Sequence, residues 1–249
     1  MIIGAYCRDV FQDALGHPFD LKATYDVDIA LVVANWASYR EVIDGLPRLG
    51  STGIRYRVAE MPTDLLPFGP VEDPIGTVRP EPRNETMRVS AFQEVFDNAV
   101  ELQLPTAGTI RIPQVHGYAA LKLFAWLDRS ATDTYKDAQD IAAVLYWYIE
   151  SAVVSERLFD TARGNEILTM YDFTLPPSAA HLLGEDIAHI IGRDLRTELT
   201  ARWPGRRGHV LPSELKFSAA VQSRWPSSVD RRQELLDAMA LGWAEGVEG

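Results

Sequence analysis

The chain has 249 residues, 47% of them hydrophobic and 24% charged, with a formal net charge of -11 and one cysteine, Cys7. Such a composition builds one large domain or two small ones, and its acidity argues against broad electrostatic capture of nucleic acid. A single cysteine excludes an intrachain disulfide and a cysteine-based zinc site, and no apolar run approaches the roughly 18 residues of a membrane span. We therefore expect a cytoplasmic protein without a signal peptide and without a membrane partner.

Met1-Ile2-Ile3 reads as a stub of strand, followed by Gly4-Ala5. Residues 6–15 have helical character, with Val10, Phe11, Ala14 and Leu15 on one side, and Gly16-His17-Pro18 ends the helix. A glycine between strand and helix lets a phosphate approach the N–H groups of a helix N-terminus; an ordinary tight turn is the competing reading. The next stretch, residues 22–33, is apolar and β-branched in its second half and reads as a strand. Side chains alternate along a strand, so Asp26 and Asp28 share a face, with Cα atoms roughly 6.5–7 Å apart. Two carboxylates so placed repel, and a divalent cation between them turns the pair into a ligand set. Two solvated carboxylates at an exposed strand end are the plainer alternative. The apolar run that follows favours the first reading, because it plants the pair at the start of a buried strand, where unpaired charge is costly.

Residues 38–49 read as a helix with Tyr39, Val42, Ile43 and Leu46 inward, residues 50–53 as a turn, and residues 54–61 as a strand alternating Ile54, Tyr56, Val58 against Arg55, Arg57, Ala59. Asp64 heads another short apolar run and is a third carboxylate of the same type. Residues 69–88 read as a loop. Residues 100–104 and 109–112 form a β-pair turning at Thr106-Ala107-Gly108. Pro113 opens a helix to about residue 129, with Lys122, Trp126 and Arg129 on one face. A helix over residues 132–151 carries the stripe Ala138, Ile141, Ala142, Leu145, Tyr148, Ile149 and Ala152, with Asp133, Asp137 and Asp140 on the adjoining side. Acids at that spacing read as a solvated, salt-bridged face. The remainder is helix-rich. Pro176-Pro177 precede a helix to about residue 199, with Leu183, Ile187, Ile190, Ile191 and Leu195 as its stripe, and Ser228 caps a last helix through residue 241. Residues 202–209 form a basic loop, either a charged turn or a surface for a phosphate-rich partner.

Four stretches in order carry a resemblance: Ile3-Gly4-Ala5-Tyr6-Cys7-Arg8-Asp9, Ala23-Thr24-Tyr25-Asp26-Val27-Asp28, Asp64-Leu65-Leu66-Pro67-Phe68-Gly69, and Leu121-Lys122-Leu123-Phe124-Ala125-Trp126-Leu127-Asp128-Arg129 followed by Lys136-Asp137-Ala138-Gln139-Asp140. Over roughly the first 150 residues the chain resembles the AbiEii-toxin nucleotidyltransferases, within the DNA polymerase β-like superfamily. The resemblance implies a mixed sheet flanked by helices, an α+β fold, followed by a helical C-terminal domain. It implies transfer of an NMP group from an NTP, with Mg2+ or Mn2+, to an RNA, tRNA or protein acceptor. It also implies a place in a toxin–antitoxin or phage-defence pair, with a cognate antitoxin as partner.

Carried over residue by residue, Asp26 and Asp28 bind metal, and Asp64 is the third carboxylate, ligating a metal or taking the proton of the acceptor hydroxyl. Gly4 and Ala5 line the phosphate turn. Lys122 steadies triphosphate charge beside Arg129, and Asp137 and Asp140 are the downstream acids. Asp26, Asp28, Asp64, Lys122 and Asp140 are thus the catalytic candidates, and Gly4, Ala5, Lys122, Arg129 and Asp137 the nucleotide-binding ones. Ala5 departs from the family pattern, which has a hydroxyl or a second glycine there. The family also has a helix ahead of the first strand that these residues do not include. Both departures support the alternative of a catalytically reduced nucleotide-binding or regulatory protein. The expected organisation is a nucleotidyltransferase-like core over residues 1–112 and a helical domain over 113–249. Within it, residues 113–151 complete the site and 152–249 serve as support or partner-binding surface.

Overall fold

The computed structural model describes residues 1–17, 24–82, 84–106, 108–217 and 225–245. Lys22 and Ala23 of the acidic stretch, Pro18 of the first helix stop and Ala107 of the predicted hairpin turn lie outside the described residues. The protein is mixed α/β and rich in helix, and it divides into two compact units, Met1–Leu121 and Lys122–Gly249. No helix among the described residues is long and apolar enough to cross a membrane.

The first unit runs β1 (Ile2–Ile3), α1 (Gly4–Ala14), β2 (Val27–Val32), α2 (Trp36–Ile43), β3 (Arg55–Val58), β4 (Met61–Phe68), β5 (Thr77–Val78), β6 (Met87–Arg88), α3 (Phe92–Asp97), β7 (Val100–Leu104), β8 (Gly108–Ile112) and the first part of α4 (Val115–Arg129). Its main sheet has the order β1-β2-β4-β3, with β2 and β4 parallel and both outer pairings antiparallel. The expected mixed sheet is therefore present. Thr63, Leu65 and Tyr56 are buried on one face of β4 and β3. Tyr39, the buried residue of α2, donates its hydroxyl to the Leu65 carbonyl at 2.9 Å and so ties that helix to the sheet.

Several local expectations are corrected. Helix α1 buries Cys7, Arg8 and Gln12, whereas Val10 and Leu15 of the predicted apolar side are 39% and 43% exposed. Its end is as expected: Gly16 at φ 71° gives its N–H to Asp13, and His17 gives its N–H to Gln12, which satisfies the last free carbonyls. Asn35 caps α2 by accepting from the Ser38 N–H, so that helix starts earlier than predicted. It also ends earlier, at Ile43, because Asp44 is extended and Gly45 has φ 74°. Val42, expected inward, is 50% exposed. Strand β2 is only half-buried, with Ala30 its one buried residue. The single strand expected over residues 54–61 is a hairpin, β3 turning into β4 at Ala59 and Glu60, which have φ 46° and 67°. Neither residue is a glycine or asparagine, so the usual signature of such a turn is missing. The predicted pair of residues 100–104 and 109–112 forms as β7 and β8.

The second unit is helical among the described residues: the end of α4, α5 (Asp137–Glu150), α6 (Ala152–Asp160), α7 (Ala162–Met170), α8 (Leu175–Arg202), α9 (Leu211–Glu214) and α10 (Val229–Glu245). Helix α5 is buried on nearly every side, so its core exceeds the predicted stripe. It starts later than expected, because Asp133 adopts a left-handed turn at φ 59° and stands outside the helix, paired with Arg207. Helix α8 buries Leu183, Ile187, Ile190 and Ile191 as predicted, but Gly192 (φ 71°, ψ -177°) breaks its helical path. Ser228 accepts from the Arg231 N–H at the start of α10.

Two glycines let α8 and α10 meet backbone to backbone. A Cβ at Gly184 would lie 2.1 Å from the Met239 carbonyl oxygen, and one at Gly242 2.1 Å from the His181 carbonyl oxygen. Neither obstacle is a side chain that can rotate away. Gly242→Ala is therefore expected to destabilise the protein by roughly 1–3 kcal/mol or more, as in other overpacked cores, with a lower urea midpoint as the readout. An unchanged midpoint would show that the helices slide apart at little cost.

Beside this contact Arg163 holds Glu185 at 2.5 Å, and His181 lies 3.5 Å from the same carboxylate. Burial pushes the Glu185 carboxyl up, but the contacts with His181 and Arg163 outweigh burial and hold it below the usual glutamate range. A depressed folded value contributes stability above the unfolded pKa, roughly 4.3, and that contribution drains away as pH falls through the lower folded value. Glu185→Gln should flatten the acid limb of the stability–pH curve. An acid limb as steep in this variant as in the wild type would remove Glu185 as its source.

Candidate active site

Strand pairing, more than sequence distance, assembles the acidic site. Asp28 is the register partner of Asp64 across β2–β4, Arg55 is the partner of Asp64 across β3–β4, and Ile3 is the partner of Asp28 across β1–β2. Residues in one cross-strand row point to one face, so Asp28, Asp64 and Arg55 project together. The strand expected over residues 22–33 begins only at Val27, so Asp26 stands in the bend before it and reaches the group through Arg55. The sheet brings Asp28 and Asp64 side by side, and Asp26 joins them through Arg55.

Arg55 lies at the centre of this group, and the sequence reading gave it no role there. Its Nε donates to Asp64 Oδ1 at 2.7 Å, and its Nη2 donates to Asp64 Oδ2 at 3.0 Å and to Asp26 Oδ2 at 2.5 Å. The remaining Asp26 oxygen accepts from the Thr24 hydroxyl at 2.9 Å. All four carboxylate oxygens of Asp26 and Asp64 thus accept hydrogen bonds. The hydrogen bond to Asp64 holds the Arg55 guanidinium above its ordinary pKa; burial opposes this, and the charges of Asp64, Asp26 and Asp28 add to it. The signal that could have found Arg55 was its alternation with Tyr56. Once Tyr56 is assigned to the core, Arg55 must point to the opposite face; the β3–β4 register then sets it beside Asp64.

Gly4 closes the other side. It begins α1 at φ 69°, and a Cβ there would fall 1.9 Å from Asp28 Oδ2, so any side chain would collide with the carboxylate. The helix start predicted to approach a phosphate therefore lies against Asp28, where the helix dipole favours negative charge. Ala5 follows in the first turn of α1 and brings no hydroxyl.

The other candidates gather in the second unit. Lys122 Nζ lies 2.7 Å from Asp140 and 3.8 Å from Asp137, and Arg129 Nη1 donates to both oxygens of Asp137 at 2.9 and 3.1 Å. The acids occupy the first turn of α5, where the helix dipole favours them. Asp137 and Asp140 are buried, so the expected solvated face is instead a closed two-cation, two-anion cluster. In the basic loop, Arg202 pairs with Asp128 and Glu198, and Arg207 pairs with Asp133, which favours the charged-turn reading.

The donor chemistry of Asp26, Asp28 and Asp64 fits a hard divalent cation, which prefers carboxylate oxygens and tolerates water in its remaining positions. Among the described residues, no three acidic, histidine or cysteine side chains enclose an ion position as they stand. Arg55 hydrogen-bonds the oxygens of Asp26 and Asp64. No family model matches the chain, and no curated protein matches it.

Proposed function

We propose that the protein is a nucleotidyltransferase-like enzyme that moves an NMP group from an NTP to an acceptor, with Mg2+ or Mn2+ held by Asp26, Asp28 and Asp64. One observation carries this reading: the register that puts Asp28 and Asp64 side by side on parallel strands, with Gly4 and the start of α1 against them. Attack on an α-phosphate needs negative charge neutralised on the attacked phosphate and on the departing pyrophosphate. Divalent cations supply that neutralisation when bound. The chain's own part is to hold Asp28 and Asp64 side by side on the sheet, with the start of α1 against Asp28, and to place a carboxylate near the acceptor hydroxyl as proton acceptor. Asp64 has that last role in this reading. Lys122 and Arg129, assigned to the triphosphate by the resemblance, are engaged by Asp140 and Asp137 within their own unit. Acceptor RNA, tRNA or protein, and a cognate antitoxin, belong to the same proposal.

The test is incubation with each α-labelled NTP, Mg2+ or Mn2+, and a cell extract as acceptor source. Label appearing in a macromolecule supports transfer. A second reading, an NTP-binding protein with reduced catalysis, draws support from Ala5 and from the engagement of Asp26 and Asp64 by Arg55. Saturable NTP binding with no label transfer from any NTP would select it.

A further inference from the structure

We propose that β7 is an edge on which two copies of this chain meet: their β7 strands pair antiparallel about a two-fold axis at Leu102, and two hairpins become one four-stranded sheet. The inference is independent of the reaction proposed above.

Among the described residues, β7 pairs with β8 alone, and Val100, Glu101, Leu102 and Gln103 are exposed on both faces of the strand. Two strands by themselves are marginal in water. Natural edges are usually blunted by proline, lysine or a bulge. β7 contains no proline and no lysine, and its register with β8 runs unbroken from Val100–Ile112 to Leu104–Gly108. The strand is also complementary to itself when reversed. Antiparallel pairing centred on Leu102 sets Val100 opposite the partner's Leu104, Leu102 opposite the partner's Leu102, and Glu101 opposite the partner's Gln103. One face of the row is thus apolar, and Ile110 and Ile112 extend it within each hairpin. Val100 and Leu102 are 58% and 45% exposed, so pairing takes apolar surface out of water. On the other face, Glu101 Oε1 accepts from Arg111 Nη2 at 2.9 Å, and Gln103 Oε1 accepts from the Thr109 hydroxyl at 2.9 Å. The second oxygen of Glu101 and the amide N–H groups of Gln103 are left for the partner. Each Gln103 donates to the partner's Glu101, and the two-fold axis makes this contact twice. In a parallel, in-register pairing Glu101 would face its own copy, like charge against like. The antiparallel arrangement is therefore the one the strand's chemistry selects.

The experiment is sedimentation velocity of the full chain over a concentration series, for wild type, Leu102→Lys and Gln103→Glu, with oxidative cross-linking of Leu102→Cys and Thr109→Cys. Wild type is expected to pass from monomer to dimer as concentration rises. Leu102→Lys puts two ammonium groups on the axis and should stay monomeric where wild type is mostly dimer. Gln103→Glu sets carboxylate against carboxylate twice and should weaken the dimer roughly 3- to 10-fold. Directly opposed Cα atoms of an antiparallel pair lie about 4.5–5.5 Å apart, within disulfide reach, so Leu102→Cys should give a covalent dimer. Thr109→Cys should give none, because three strand spacings of about 4.8 Å separate that position from its copy. The natural Cys7 is buried, so wild type serves as the cross-linking control. A wild type that is monomeric at every concentration overturns the inference. So does a dimer that Leu102→Lys leaves intact, or cross-linking of Thr109→Cys as ready as that of Leu102→Cys. If Leu102→Lys does not fold, Gln103→Glu and the two cysteine variants decide: a dimer of unchanged strength, or no covalent dimer of Leu102→Cys, overturns it.

Discussion

Asp28→Asn and Asp64→Asn are each expected to lower nucleotidyl transfer by roughly a thousandfold, the scale of losing one preorganised electrostatic group at a reacting phosphate. The amide keeps the shape and removes the charge, so the sheet should survive. The two variants then differ in a telling way. Asp64→Asn also removes the partner of Arg55, with two of that residue's hydrogen bonds at 2.7 and 3.0 Å. Asp28→Asn leaves the Arg55 bridge between Asp64 and Asp26 in place. Equal loss of transfer is the expected pattern, with the loss of the Arg55 hydrogen bonds confined to Asp64→Asn. The Arg55 side chain is more than a third exposed, so its pairing contributes little to stability once solvent screening is counted. Transfer that persists in Asp28→Asn would remove the carboxylate pair from the chemistry.

Lys122→Met is expected to destabilise the protein by about 3–5 kcal/mol, because it takes the cation 2.7 Å from buried Asp140, whereas Asp137 keeps Arg129. Only 12% of the Lys122 side chain is exposed, and Asp137 and Asp140 lie 3.8 and 2.7 Å from its ammonium. Arg129→Met should cost less, since 46% of that side chain is already in water. Urea denaturation of both variants measures the ordering. The resemblance gives Lys122 a role at the triphosphate, and that role alone would reduce NTP binding at unchanged stability. A native urea midpoint in Lys122→Met would show that the buried cluster does not need its cation.

Periodicity and caps made much of the framework legible. The β7–β8 pair needed only two alternating runs around a short turn. The start of α10 needed only Ser228, and the stop of α1 only Gly16. Other elements lacked local signals. Helix α3 starts at Phe92, after Ala91 at φ 66° and with no capping side chain, so nothing in its sequence marks the boundary. The β3–β4 turn uses Ala59 and Glu60 where glycine or asparagine is usual. The inward face of α1 is set by Cys7, Arg8 and Gln12, and a polar pair on a buried face contradicts hydrophobic patterning. Asp137 and Asp140 read as surface acids because spacing on one helix carries no information about a lysine on another.

The amino-acid sequence alone determined that a strand follows Asp26, since its apolar, β-branched run is a local property, although that strand begins only at Val27. It also determined that Gly4 stands between a strand and a helix. Only the tertiary structure decided that Asp64 stands beside Asp28 and that Arg55 bonds both Asp64 and Asp26. Those neighbours depend on register between strands, which is fixed by the packing of Tyr56, Thr63 and Leu65 on the opposite face. A shift of one residue in that register would turn Asp64 and Arg55 into the core, so burial of the apolar face is what gathers the charges on the other.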